Sequence, residues 1–198
     1  MVKISTLVGA RPQFIKAAAV SRAISTSFAN EINESIIHTG QHYDKNMSQI
    51  FFDELDIPKP HHNMHVSSSR HGEMTGRMLE LFESYLLENK SDYVLVYGDT
   101  NSTLAGMLAA VKLGIPVAHV EAGLRSYNTN MPEEINRILV DRLSTLLFCP
   151  TEQAVKNLAK EGLNEGIHQT GDVMFDVALY YKERATQKSN ILIDHNLN

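Results

Sequence analysis

The chain has 198 residues, of which 43% are hydrophobic and 21% charged, and its 18 Lys and Arg against 23 Asp and Glu give a formal net charge of −5. Phosphate neutralisation needs a basic face, so this balance argues against a general nucleic-acid binder but allows a local cationic pocket. No apolar run approaches the roughly 20 residues of a membrane span, and one cysteine excludes both an intrachain disulfide and a four-thiolate zinc site, so we expect a soluble cytoplasmic protein without a membrane partner.

Short apolar runs alternate with longer amphipathic segments along the whole chain. Strands are predicted at residues 2–8, 35–38, 93–97, 116–120, 146–149 and 167–170. A first helix is predicted to begin near Pro12, and others to span residues 44–55, 73–89, 101–113, 133–143, 152–161 and 173–184. Gly114 and Thr151 have the residue types that end and cap helices. Residues 59–70 have no clear periodicity, which indicates a surface connection.

Strands that alternate with helices predict a doubly wound α/β domain with a parallel sheet covered on both faces. We expect this domain to span residues 1–184, with residues 185–198 leading away from it. In an open parallel sheet, ligands bind beyond the carboxyl ends of the strands. Polar residues at the predicted strand ends are therefore the candidates for function.

The first strand ends in a glycine turn that leads into a helix. Such a turn presents backbone N–H groups, and Arg11 and Lys16 add cations within about one and a half helical turns, which suits a phosphate. The alternative is that Gly9 and Pro12 only make a tight turn. The spacing matches neither the dinucleotide fingerprint nor the P-loop, so a dinucleotide cofactor and a P-loop triphosphate are disfavoured.

Three carboxylates follow later strands. Asp99 could act in the crevice or cap the next helix. Glu121 comes directly after the apolar strand predicted at 116–120, where a carboxylate is costly unless it is paired or functional. Glu133 could serve in the site or pair with Arg137, four residues further along the helix. With the cations of the first turn, these residues make the set needed for acid–base work beside a phosphorylated leaving group.

The remaining candidates have simpler explanations. His119 lies inside an apolar strand and Cys149 ends one, so both are typical of a core. Three histidines of the unpatterned segment are more typical of a solvated loop than of a metal site, and no metal is expected; they are His61, His62 and His65. His38 and His42, on either side of Gln41, could line a ligand crevice or cap a helix.

Six segments together resemble a known family. They are GARPQFIK at 9–16, HTGQH at 38–42, VYGDTNST at 96–103, HVEAGLR at 119–125, PEEINR at 132–137 and TGD at 170–172. In this order and spacing they resemble the non-hydrolysing UDP-N-acetylglucosamine 2-epimerases. The resemblance implies one Rossmann-like half of a two-domain glycosyltransferase-B architecture, here the amino-terminal half. It also implies that residues 185–198 cross toward the second domain and that this half alone is badly impaired or inactive.

The resemblance also implies a reaction in which UDP-N-acetylglucosamine and its manno epimer interconvert through elimination and re-addition of UDP. Asp99, Glu121 and Glu133 would be the catalytic acid–base residues. The substrate-binding residues would be Arg11, Lys16, Gln41, His42 and Arg137. No cofactor is required. The family resemblance further implies a cytoplasmic homodimer, formed through this domain, that serves cell-envelope polysaccharide biosynthesis.

Several alternatives remain open at this point. The residues at 125–128 and 13–16 are similar to those of the family branch that epimerises UDP-2,3-diacetamido-2,3-dideoxyglucuronate. The extra carboxylate of that sugar would need a further cation. The segment after His42 differs from that of family members activated by their own substrate. A glycosyltransferase acceptor domain and a non-catalytic UDP-sugar-binding module are the other hypotheses, and three strand-end carboxylates argue against the first because acceptor activation ordinarily needs one base.

Overall fold

The computed structural model describes residues 1–41, 59–68 and 70–188. Within these ranges, seven strands form one parallel sheet in the order β3-β2-β1-β4-β5-β6-β7. The strands are β1 (Val2–Val8), β2 (Ile32–His38), β3 (His62–Asn63), β4 (Tyr93–Tyr97), β5 (Val117–Val120), β6 (Leu146–Cys149) and β7 (Ile167–Gln169). The predicted doubly wound parallel architecture is confirmed.

Six helices of the described chain cover the sheet. They are α1 (Arg11–Ser27), α2 (His71–Glu88), α3 (Asn101–Lys112), α4 (Pro132–Leu143), α5 (Glu152–Lys160) and α6 (Val173–Lys188). Gly114 follows α3 with a φ of +72° and the Thr151 side chain accepts a hydrogen bond from the Ala154 amide, as predicted for a helix end and a helix start. No described helix combines the length and the apolar character needed to span a membrane.

The two faces of the sheet carry separate cores because successive strand residues point to opposite sides. Leu7 and Val96 face α2 and α3, where they pack with Phe82. Val8 and Tyr97, one position further along, face α1 and pack with Phe14. The second half of β1 and nearly all of β4 are thus buried on two sides, which explains why β4 is a continuous apolar run.

Strand order reverses between β1 and β4. From β1 the chain moves outward to β2 and β3, and from β4 it moves the other way through β5, β6 and β7. The crevice at such a reversal, beyond the carboxyl ends of the strands, is where open α/β sheets bind ligands. The turns that begin at Gly9 and Gly98 both lie there.

Two predictions about element boundaries are wrong. Residues 59–70 are not only a surface connection, since β3 pairs with β2 and the side chains of Met64 and Val66 are buried in the core. Helix α6 continues to Lys188, so the first residues of the predicted crossing segment at 185–198 belong to this helix. The predicted helix at 44–55 lies outside the described residues.

Candidate active site

Two ion pairs lie side by side at the reversal point of the sheet. Lys16, on the second turn of α1, donates through Nζ to Oε2 of Glu121, which follows β5. A Cβ atom placed on Gly98 would lie 3.2 Å from Oε2 of Glu121 and 3.5 Å from Nζ of Lys16. The turn at the end of β4 therefore packs directly against this pair, and a Cβ atom there would press on the Glu121 carboxylate as well as being strained at a φ of +61°.

Asp99 forms the second pair. Its carboxylate accepts hydrogen bonds from Nε of Arg137, at 3.1 Å, and from Nη2 of the same guanidinium, while its backbone carbonyl accepts one from Nδ2 of Asn136 at 2.8 Å. The cap of α3 is Thr100, whose side chain accepts from the Thr103 amide. The helix-cap alternative for Asp99 is therefore wrong, and its carboxylate, 29% exposed, is directed to the rim.

The two adjacent glutamates of α4 point in different directions. Glu133 is exposed and makes no ion pair with Arg137, so the predicted pairing four residues apart is wrong. Arg137 instead donates through Nη1 to Glu134, at 2.9 Å, and Glu134 is buried. Burial opposes ionisation of Glu134, but hydrogen bonds from the Ser126 and Tyr127 amides and the charge of Arg137 hold its pKa below the usual value.

The glycine turn after β1 is closed by a side chain of the chain itself. Oε1 of Gln13 accepts hydrogen bonds from the amides of Gly9, at 2.8 Å, and Ala10, at 3.0 Å. Its Nε2 donates to the carbonyl of Tyr97 and so joins β1 to β4. Two amides expected to face a phosphate are thus already bonded, which corrects the prediction for this turn and leaves the cations as its contribution to anion binding.

The other predicted binding residues lie along the same rim. Arg11 is exposed at the first residue of α1, about one and a half turns before Lys16. Gln41 accepts a hydrogen bond from Oγ of Ser102 at 2.8 Å, next to the start of α3. His42 lies outside the described residues. The structure thus brings Asp99, Glu121, Lys16 and Arg137 together, and it places Glu133 on the exposed first turn of α4.

A tight turn carries Glu121 into the site. Glu121 has a φ of +77° and Gly123 a φ of +80°. The left-handed region costs a residue with a side chain about 1–2 kcal/mol, so the surroundings must hold Glu121 there. The Gly123 amide donates to Oδ2 of Asp141 at 3.0 Å, and the Arg125 guanidinium donates to the same oxygen at 2.7 Å.

The core assignments of His119 and Cys149 are confirmed. The ring of His119 is fully buried and both of its nitrogens are hydrogen-bonded. Burial, together with the charge of Asp141, raises the pKa of the Cys149 thiol to about 11, so this group is an inert thiol rather than a nucleophile. Across residues 1–41, 59–68 and 70–188, no group of three His, Cys, Asp or Glu side chains is placed to hold a metal ion.

An apolar cavity of about 600 Å³ lies away from these charged groups, between the sheet, α1 and α6. Val20, Phe148 and Val173 are among its lining residues, and Asp176 is the charged one. None of its described lining residues is a cation that could bind a diphosphate. The charged rim, not this cavity, is the candidate site.

Comparison with known proteins decides the family. A sequence model described as UDP-N-acetylglucosamine 2-epimerase matches residues 25–197. The chain belongs to the UDP-N-acetylglucosamine 2-epimerase family. A crystal structure of a family member from Methanocaldococcus jannaschii, in complex with UDP-GlcNAc and UDP, has a TM-score of 0.94 and 47% identity; the match covers 98% of this chain and 53% of that one.

Two epimerase relatives are equally similar in sequence. The UDP-2,3-diacetamido-2,3-dideoxy-D-glucuronate 2-epimerase of Pseudomonas aeruginosa is 56% identical over 93% of this chain and 52% of its own length. A UDP-N-acetylglucosamine 2-epimerase homolog of Methanococcus maripaludis is 56% identical over 100% and 54%. The chain therefore spans about half the length of these relatives. A lipopolysaccharide outer core galactosyltransferase, at 15% identity and a TM-score of 0.59, shares the fold alone.

Residue patterns missed several members of the candidate site. Gln13 and Asn136 lie inside the matching motifs and are buried in the structure. The signal that could have singled them out is an amide residue at a helix position expected to face the sheet. Glu134 is adjacent to the predicted Glu133 and differs from it only in helix phase. Asp141 lies outside every motif, and its contacts with three residues of the segment at 119–125 are visible only in the folded chain.

Proposed function

We propose that this chain is the amino-terminal half of a UDP-sugar 2-epimerase and that it supplies the acid–base carboxylates of the reaction. The observation that carries the proposal is the placement of Asp99 and Glu121 on either side of Gly98, each paired with a cation. Both carboxylates are partly exposed, so a sugar bound at the rim can reach them. The proposed substrate is UDP-N-acetylglucosamine.

The chemistry accounts for this combination of charges. The C1–O bond breaks with its electron pair leaving on UDP, and a carboxylate takes the proton from C2, which gives 2-acetamidoglucal. Return of a proton to the other face of C2 and re-addition of UDP at C1 give the manno epimer. Lys16 and Arg137 would stabilise the negative charge that grows on the departing diphosphate. A diphosphate that engages these cations would also leave Glu121 and Asp99 less tightly paired and free to approach the sugar.

A chimera tests the proposal. This chain, followed by the carboxy-terminal half of the Pseudomonas aeruginosa relative, is incubated with UDP-N-acetylglucosamine in deuterium oxide. We expect the gluco and manno sugars to interconvert with deuterium at C2. The 198-residue chain by itself is expected to give no exchange.

The unaltered Pseudomonas aeruginosa relative is the control for the second half. The control must be active on the sugar for which the relative is named, UDP-2,3-diacetamido-2,3-dideoxy-D-glucuronate. If it is, and the folded chimera forms epimer without deuterium at C2, the proton-exchange mechanism is wrong. Binding of the UDP-sugar without turnover would instead support the non-catalytic module. Sugar transfer to an added acceptor without exchange at C2 would support a glycosyltransferase.

UDP-2,3-diacetamido-2,3-dideoxyglucuronate is the second candidate substrate. The 56% identity to the relative named for this sugar supports it, together with the variants at residues 125–128. Arg125 itself is not the extra cation that the sugar carboxylate would need, because its buried guanidinium already binds Asp141 and Glu161. The ratio of kcat/KM for the two sugars in the same chimera decides between them.

Glu133 and Glu134 should separate activity from stability. In the chimera, we expect Glu133→Gln to lower the rate of C2 exchange by about 10²–10⁴-fold, as loss of a general acid or base does, with the urea midpoint unchanged. Glu134→Gln should lower the free energy of unfolding by about 1–3 kcal/mol, because two backbone amides and Arg137 lose a charged buried acceptor. Full activity of Glu133→Gln would remove that residue from the mechanism.

We also propose that two copies associate through this domain. Exposed apolar side chains spaced four apart on α4 support this: Ile135, Leu139 and Leu143 are 43–47% exposed. Sedimentation equilibrium should give twice the chain mass for the wild type and the monomer mass for Leu139→Glu; a monomeric wild type would contradict the proposal.

The location and cellular role are also proposals. The unpaired Cys149 supports a cytoplasmic location. The corresponding proposed role is the supply of UDP-sugars for cell-envelope polysaccharide.

A further inference from the structure

A buried histidine contacts the turn at Gly98, which lies between the two carboxylates. Nε2 of His119 is 2.7 Å from the carbonyl oxygen of Gly98, and Nδ1 is 2.7 Å from Oδ1 of Asp141. The ring and the Asp141 side chain are both fully buried. His119 therefore connects α4 to the turn that presents Asp99.

The partners of His119 define its protons. A carbonyl oxygen only accepts, so Nε2 must donate to Gly98. On the other side, Oδ2 of Asp141 accepts from the Gly123 amide and the Arg125 guanidinium, which favours the ionised carboxylate. An ionised carboxylate also only accepts, so Nδ1 must donate as well. A neutral imidazole has one N–H, and two acceptors therefore require the imidazolium.

The charges around the ring are balanced. Asp141 faces His119 from α4, and Arg125 reaches Asp141 from the loop after β5. Arg125 is paired in turn with Glu161, which is partly exposed at the end of α5. The Cys149 thiol lies on β6, where burial keeps it protonated. If the ring of His119 is positive, the cluster holds two cations, His119 and Arg125, and two anions, Asp141 and Glu161.

We propose that His119 holds both ring protons and acts as a positioning residue for Asp99 and Glu121. Through Nε2 it fixes the carbonyl of Gly98, which has a φ of +61° and packs against the Glu121–Lys16 pair. Through Asp141, which also binds the Gly123 amide, it is tied to the turn that holds Glu121 at its positive φ. One buried charge pair thereby sets the separation of the two carboxylates. Its catalytic consequence rests on the proposed function, whereas the protonation state does not.

Nitrogen NMR of the ¹⁵N-histidine-labelled 198-residue chain tests the protonation state. At about pH 7.5 free histidine, whose side-chain pKa is about 6.5, is largely neutral and serves as the reference. We expect both ring nitrogens of His119 to be protonated at that pH. In Asp141→Asn the new amide can donate to Nδ1, so the ring should carry a proton on Nε2 alone. A neutral His119 in the wild type would overturn the proposal.

Two substitutions in the chimera test the positioning role. The amide of Gln reaches about as far as Nε2 and can still donate to Gly98, whereas the amide of Asn reaches only as far as Nδ1. We expect kcat of His119→Gln to exceed kcat of His119→Asn by about tenfold or more, with similar KM, because small displacements of catalytic groups cost rate rather than binding. Equal kcat values for the two folded variants would overturn the role.

The failures of the two proposals are distinguishable. A wild-type chimera without C2 exchange overturns the epimerase function, while the NMR result still reports the charge of His119. If the wild-type chimera exchanges the C2 proton but His119→Gln and His119→Asn have equal kcat values, the positioning role alone is overturned. Urea unfolding of each variant shows whether a loss of rate follows from a loss of folded protein.

Discussion

Asp99→Asn is expected to lower kcat for C2 exchange in the chimera by about 10²–10⁴-fold, the usual loss when a general acid or base is removed. The amide keeps the size of the side chain and can still accept a hydrogen bond from Arg137. It cannot take a proton from C2. Arg137 also keeps Glu134 as an ionised partner, so the site should stay folded. Steady-state kinetics and the deuterium content of the product, measured by mass spectrometry, check this result.

Asp92→Asn is the matched control. Asp92 precedes β4 as Asp99 follows it, so the two carboxylates lie at opposite ends of one strand, and Asp92 accepts a hydrogen bond from the Lys3 amide that Asn can also accept. We expect this variant to keep the wild-type rate. Should Asp99→Asn also keep it, the carboxylate at position 99 has no part in proton transfer.

Gly123→Ala is expected to destabilise the fold by about 2–5 kcal/mol. The new Cβ would lie 2.4 Å from the carbonyl oxygen and 2.8 Å from the carbonyl carbon of Ala154, and the backbone there cannot rotate away as a side chain could. This overlap adds about 1–3 kcal/mol to the roughly 1–2 kcal/mol that alanine loses at a φ of +80°. Urea unfolding followed by circular dichroism measures the change.

Gly114→Ala separates the two contributions. Gly114 has a similar φ of +72°, but a Cβ atom there would meet nothing within 4 Å. We expect it to lose only the conformational part, about 1–2 kcal/mol. Equal losses at the two positions would show that the contact with Ala154 costs nothing. Because the Gly123 amide binds Asp141, Gly123→Ala should also displace Glu121 and lower the rate of C2 exchange in the chimera, whereas Gly114→Ala should not.

Much of the site follows from local patterns. An apolar run followed by Gly98 and Asp99 predicts a strand that ends in a polar turn, and parallel strands bring such turns to one edge. The contacts of Lys16 with Glu121 and of Arg137 with Asp99 were therefore foreseeable as a cluster. Their pairing was not, because partners 105 and 38 residues apart meet only when the strand order is known.

The amino-acid sequence by itself determined the alternation of strands and helices, the polar strand ends and the family, because periodicity and short motifs are local properties. Only the tertiary structure decided which of two adjacent polar residues faces the interior of the protein. Helix phase buries Glu134 and exposes Glu133, although both are glutamates at the start of α4. It also decided that Gln13 occupies the amides of the first turn and that Asp141 binds His119. These contacts depend on packing between distant segments, where the desolvation of each polar group must be matched by a partner.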